Sequence, residues 1–207
     1  EKLVYGGLTK VFAGIVIAPI GGLIVGVLLT GLIITVFANR KPAPVNKIFG
    51  RLQIISSAWF ALTHGANDGQ KTMGIIALIL FSAGMIPELD IPLWVIFAAA
   101  AAMGLGTFFG GYKVIKTLGV KITRLRPYQG FAAETGGGLM LAAFAILGIP
   151  ASTTHAITGT IMGSGAARRK RAVRWKVSRQ IVFSWIITIP GAAGMGIGFT
   201  YLIHLFV

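Results

Sequence analysis

Apolar residues in this chain come in long blocks, and polar residues gather between those blocks or, in two places, inside them. VFAGIVIAPIGGLIVGVLLTGLIITVFA (11–38) holds no charge over 28 residues. An α-helix rises 1.5 Å per residue, so about 20 residues cross the hydrocarbon of a bilayer. The segment therefore predicts a spanning helix with a tilt or a kink at Pro19. IPLWVIFAAAAAMGLGTFFGGY (91–112) predicts a second span. QIVFSWIITIPGAAGMGIGFTYLIHLFV (180–207) predicts a third, kinked near Pro190 and Gly191. Trp94, Trp185 and Tyr201 suit membrane interfaces and equally suit ordinary packing.

Two further apolar stretches are interrupted. Residues 52–86 carry HGANDGQK in their middle, and residues 130–167 carry IPASTTH. Each predicts a broken or discontinuous helix. The leg 151–167 is about 25 Å long even as a perfect helix, so it predicts a short or re-entrant element.

Charge placement orders these elements. Sixteen of the nineteen Lys and Arg residues lie in 39–51, 111–128 and 168–179, whereas the turn PELD (87–90) is acidic. Basic loops stay on the cytoplasmic face, which gives six nominal crossings with both ends outside. The net charge of +14 would suit nucleic acid. Confinement of the basic residues to loops beside apolar spans argues against that and for a membrane surface, even for ARRKRAVRWKVSR (167–179). Only 12% of residues are charged and mean hydropathy is +0.82, against about 25% charged in soluble domains. Zero cysteines exclude disulfides and zinc–thiolate sites. The chain opens on EKLVYGG, without Met or a signal peptide, and reads as a fragment, a processed product or a subdomain. The expected fold is an all-α polytopic membrane protein in a plasma or cell inner membrane.

A charged side chain within a membrane helix costs several kcal/mol and normally faces a cavity, a pore or a partner. Asp68 and Glu134 are the acidic residues so placed. Ionised Asp68 only accepts hydrogen bonds, which suits cation coordination or proton coupling. Glu134 suits either role, or a pair with a basic loop residue. Gly65 and Gly69 permit a break, and Asn67 and Asp68 can cap the leg that follows. Lys71 would neutralise Asp68 or reach the water boundary, and Gln70 lies beside it. Pro150 suits a helix start, where the hydroxyls of Ser152, Thr153 and Thr154 and the first-turn N–H groups would seat a tetrahedral oxyanion. His155 adds a titratable donor. His64, four residues before Asp68, shares its helix face. A metal site there needs more ligands than the pair supplies. Plain capping explains either cluster alone, and His204 suits packing at an interface. Gly136, Gly137, Gly138, Gly159, Gly163 and Gly165 mark close helix contacts or hinges.

HGANDGQKTMG (64–74) and GIPASTTHAITGTIMGSG (148–165), in this order, resemble the inorganic phosphate transporter family called PiT, and the resemblance covers essentially the whole chain. It implies one half, the C-terminal, of an inverted-repeat transporter with discontinuous helices, working by symport of inorganic phosphate with Na⁺ or H⁺. It implies Asn67 and Asp68 as substrate or cation residues, Ser152, Thr153 and Thr154 as phosphate or Na⁺ ligands, and Glu134 as a further acid ahead of that element. Together with the chemistry above, Asn67 and the three hydroxyls are assigned to substrate, Asp68 and Glu134 to the cation or proton (Na⁺ being the metal), and His64, Gln70, Lys71 and His155 are accessory. No other cofactor is implied. The chain reads GANDGQKT where the family pattern is roughly GAND-x-x-N-A. This resembles a bacterial branch, for which H⁺ coupling and a divalent metal–phosphate substrate are also expected. An N-terminal half or complementary subunit would complete the site, and a homo-oligomer is compatible with it. A sulfate or other oxyanion permease and a membrane-embedded metal-dependent enzyme are the alternatives.

Overall fold

Proline and glycine set the bounds of two of the six α-helices of the described chain, Pro42–Ser82 and Pro127–Ile146. The computed structural model describes residues 5–206; residues 1–4 and 207, the extreme ends of the sequence, lie outside them. Helix α1 spans Tyr5–Val36, α2 Pro42–Ser82, α3 Leu93–Lys116, α4 Pro127–Ile146, α5 Thr153–Arg168 and α6 Trp175–Phe206. A π-helical turn, Thr117–Ile122, prolongs α3. Pro42 and Pro127 occupy first helical positions, where the missing N–H costs nothing. Helices α2 and α4 end in the same way. Gly84 and Gly148 take positive φ, and the next N–H reaches back, Met85 to Leu80 O at 2.9 Å and Ile149 to Phe144 O at 2.9 Å.

The residues divide into two units, Glu1–Val173 and Arg174–Val207. The second is α6, an uninterrupted helix that includes Pro190. Three segments, Thr9–Val36, Leu93–Ile122 and Trp175–Leu205, are long and apolar enough to cross a membrane. Basic and non-basic connections alternate along the described chain. Residues 37–41, 117–126 and 169–174 carry Lys and Arg, 83–92 carries Glu88 and Asp90, and 147–152 is uncharged. This alternation is the charge pattern of a chain that reverses direction at each helix.

Unit 1 is built with its large apolar residues outward. Phe108, Phe109 and Ile146 are about four-fifths exposed, whereas Thr30, Thr158, Thr160 and Ser164 are fully buried. Lipid tails are as apolar as leucine, so helices associate there through close packing of small residues. Helix α5 is buried along almost its entire length and packs against α1, α4 and α2. A Cβ on Gly159 would strike the Pro19 carbonyl, one on Gly163 the Leu23 carbonyl, and one on Gly22 would stand 2.6 Å from the Ala156 carbonyl. Helices α1 and α5 thus touch backbone to backbone. The glycines of α4 admit side chains instead: Val25 fills the space at Gly136, Phe60 that at Gly137 and Trp59 that at Gly138. The glycines singled out from the sequence serve contact.

One expected break is absent. Helix α2 runs through GAND for 41 residues without interruption. Gly65 and Gly69 do not take positive φ, and Asn67 and Asp68 are mid-helix residues, not caps. The physical reason is the absence of proline between Pro44 and Pro87. A mid-helix glycine costs only about 1 kcal/mol relative to alanine. The second break is present, between Ile146 and Thr153, but Pro150 precedes the helix start. Ser152 is the cap, its hydroxyl accepting from His155 N at 3.4 Å. At 16 residues α5 is short, as its sequence leads one to expect.

Gly163→Ala should lower stability by about 1–3 kcal/mol, the usual cost of overpacking. Gly104→Ala, where a Cβ meets nothing within 4 Å, should be neutral or slightly stabilising. Thermal unfolding of the two variants in detergent checks both.

Candidate functional site

Helical periodicity puts His64, Asp68 and Lys71 on one face of α2, and the same face meets the start of α5. His64 Nε2 lies 3.1 Å from Asp68 Oδ2, and Lys71 Nζ lies 2.9 Å from Oδ1. Thr153 Oγ1 donates to Oδ2 at 2.9 Å. Lys71 Nζ also donates to the Ala151 carbonyl at 3.1 Å. The two polar interruptions of the sequence, 85 residues apart at Asp68 and Thr153, are therefore joined by a carboxylate and an ammonium. The positive end of the α5 dipole faces the same carboxylate. The Asp68 side chain keeps 27% of its exposure and Lys71 48%, so the cluster opens outward from unit 1.

The remaining expected ligands divide. Asn67 is half-buried, four residues before Lys71 on the same side of α2, while Gln70 is exposed. Of the three hydroxyl residues, Thr153 is buried and bonds Asp68, Ser152 caps its own helix, and Thr154 is exposed.

Glu134 belongs to a different cluster. Its carboxylate accepts from Ser56 Oγ at 2.6 Å and from Gln53 Nε2 at 3.4 Å. Ser56 and Asp68 lie twelve residues apart on one continuous helix, about 18 Å along its axis. A single Na⁺ therefore cannot be shared by Asp68 and Glu134.

His155 is engaged elsewhere than the Asp68 cluster. Its ring hydrogen-bonds the backbone of Ile15. Ile15 is four residues before Pro19, which has no N–H, so its carbonyl is the one left without an intrahelical donor. The imidazole fills that gap and ties α5 to α1. His155 thus does not join His64 and Asp68, and among the described residues no group of three or more His, Cys, Asp or Glu side chains converges.

A phosphate transporter family model matches residues 35–196. The chain belongs to this family. It is 48% identical over 194 residues to a probable low-affinity inorganic phosphate transporter of Rhizobium meliloti, covering 93% of this chain and 58% of that protein. It is 39% identical over 193 residues to a protein of the same description from Bacillus subtilis, again 93% and 58%. A solved structure described as the sodium-dependent phosphate transporter superposes with a TM-score of 0.63 at 26% identity, covering 88% of this chain and 56% of that one. The chain thus spans little more than half the length of these relatives. As a member of a transporter family it is a multi-pass membrane protein.

Within this family member, sequence reasoning missed Ser56 and Gln53, because nothing local marks a polar pair on α2 as the partner of an acid on α4. It also missed the Ala151 carbonyl and the link between Pro19 and His155. The signal for the latter was present: a proline inside a span frees a carbonyl four residues earlier, and a buried donor has to be found for it.

His155→Ala should cost about 1–3 kcal/mol, the usual penalty for an orphaned buried polar group. Pro19→Ala in that background should recover part of the loss, since the introduced alanine supplies an N–H to the Ile15 carbonyl. A double-mutant cycle on unfolding in detergent measures the recovery. Additive losses would exclude the link.

Proposed function

We propose that this chain is the C-terminal half of a secondary transporter that moves inorganic phosphate across the plasma or cell inner membrane together with H⁺ or Na⁺. The observation that carries the reading is the Thr153–Asp68 hydrogen bond at 2.9 Å, which unites both motif elements at the N-terminus of a short buried helix. The names of the relatives supply the substrate. Phosphate would be held by the Thr153 hydroxyl, the first N–H groups of α5 and the Lys71 ammonium, with Asn67 alongside. Ser152 supports them as the α5 cap, while the exposed Thr154 hydroxyl lies beside the site without holding the anion. Binding would redirect Thr153 and Lys71 from the Asp68 carboxylate to the phosphate oxygens. That exchange leaves Asp68 in need of a cation, and so couples anion entry to cation entry.

Once Lys71 and Thr153 have turned to the phosphate, Asp68 and the neighbouring His64 are placed to receive a proton. The sodium-dependent neighbour keeps Na⁺ as the second reading. A divalent metal–phosphate substrate would bring its own charge. Glu134, held by Ser56 and Gln53, is a separate proton or cation station.

The outward opening of the cluster supports an additional partner. Lys71, Gln70 and Thr154 are exposed on a surface otherwise rich in large apolar residues, and such groups are costly against lipid. An N-terminal inverted-repeat half, or a complementary subunit, would cover them and close the site. Alternating access would then follow from motion between the two halves. Homo-oligomers are compatible with the same arrangement.

In proteoliposomes of the complete transporter, D68N and T153A should each cut saturable phosphate uptake about tenfold or more, the worth of a charge-assisted hydrogen bond of roughly 1.5–3 kcal/mol. T154A should stay within about twofold of the parent, as an exposed hydroxyl with no such bond. Equal losses in T153A and T154A would contradict the assignment. Uptake under separately imposed H⁺ and Na⁺ gradients, with sulfate as competitor, identifies the ion and the substrate class.

A further inference from the structure

The basic end of unit 1 holds a cavity remote from the transport cluster. Its volume is about 210 Å³, and Ile33, Phe37, Val45, Arg40, Arg126 and Tyr128 are among the residues that line it. The apolar lining comes from the end of α1, the connection that follows it and the first turn of α2, and the arginines come from the connections preceding α2 and α4. Two long helices begin at this point. Pro42, the first residue of α2, also lines the cavity, and Arg126 caps α4. Both helices turn their positive dipole ends toward the site. Among the described residues both ion pairs end on Asp68, so neither arginine is neutralised by an acid. Glu134, the one acidic residue on α4, is engaged by Ser56 and Gln53. Asp68 lies 26 residues along α2 from Pro42, about 39 Å away.

We propose that this cavity binds the headgroup phosphate of an anionic phospholipid. Two guanidinium groups provide phosphate donors, bidentate where geometry allows, and the two helix N-termini add positive potential. The apolar residues beside them would take the glycerol and the first methylenes of an acyl chain. Free inorganic phosphate has no use for that apolar lining. A zwitterionic headgroup would bring its own cation close to the two arginines. The charge pattern of the loops puts this end at the cytoplasmic surface, where anionic lipids and basic pockets meet.

Native mass spectrometry of the complete transporter in detergent, with phosphatidylglycerol, phosphatidylcholine or inorganic phosphate added, tests this. Phosphatidylglycerol should give a single retained adduct, bound about tenfold or more tightly than phosphatidylcholine and not displaced by inorganic phosphate. R40Q/R126Q should lose that adduct, while K176Q/R179Q, with the same charge change at the start of α6, should keep it. R126Q alone is the conservative variant, because the backbone N–H of Arg126, not its side chain, bonds Gln129 Oε1 at the α4 start. It should weaken the adduct about threefold or more. Equal retention of both lipids, displacement by inorganic phosphate, unchanged binding in R40Q/R126Q, or equal loss in both double variants would overturn the proposal.

Discussion

An ionised carboxylate in an apolar bundle has to be compensated, and the way Asp68 is compensated organises much of unit 1. Lys71 and His64 approach it from its own helix, and Thr153 donates to it from another. Lys71 then continues to the Ala151 carbonyl. Two regions far apart in sequence are held by bonds that are each modest in water and stronger where water is scarce. Because Thr153 is the first residue of α5, the same contact fixes where that helix points its free N–H groups. In the proposed transport cycle those groups and the Thr153 hydroxyl receive the substrate, so the contact that stabilises the cluster is also the one the substrate replaces.

A site of that kind needs a rigid support, and the backbone contact between α1 and α5 supplies it. Glycines at 22, 159 and 163 bring the two helices closer than any side chain would allow. Ser164 Oγ donates to the Gly26 carbonyl at 3.5 Å, and Gln129 Nε2 donates to the Ser164 carbonyl at 2.8 Å, which adds α4 to the assembly. His155 closes the set at the Ile15 backbone. Each of these bonds meets a backbone carbonyl in a region where an unmet one would be costly. Large apolar residues are left to face outward.

Much of this was legible in the sequence, for identifiable reasons. Uncharged blocks longer than a bilayer is thick revealed α1, α3 and α6, and the basic clusters marked alternate connections. The STTH interruption was readable because Gly148, Pro150 and Ser152 each have one strong local meaning. The GAND interruption misled, because glycine and asparagine permit a break without imposing one, and α2 continues when its polar residues find partners on a single face. That Asp68 and Glu134 sit in separate clusters could not be read in advance, since only a continuous α2 reveals that Ser56, the partner of Glu134, lies more than three turns from Asp68. The cavity at Arg40 and Arg126 was invisible in advance, since its residues come from three separate stretches.

If the Asp68 carboxylate and the Thr153 hydroxyl act as one device, their effects on transport cannot be independent. A double-mutant cycle of Asp68→Asn and Thr153→Ala on the rate of phosphate uptake, with folded protein quantified in each case, measures this coupling directly. The account predicts that the double variant is scarcely slower than the worse single variant. Losses that multiply, as they would for two residues serving separate purposes, would contradict it.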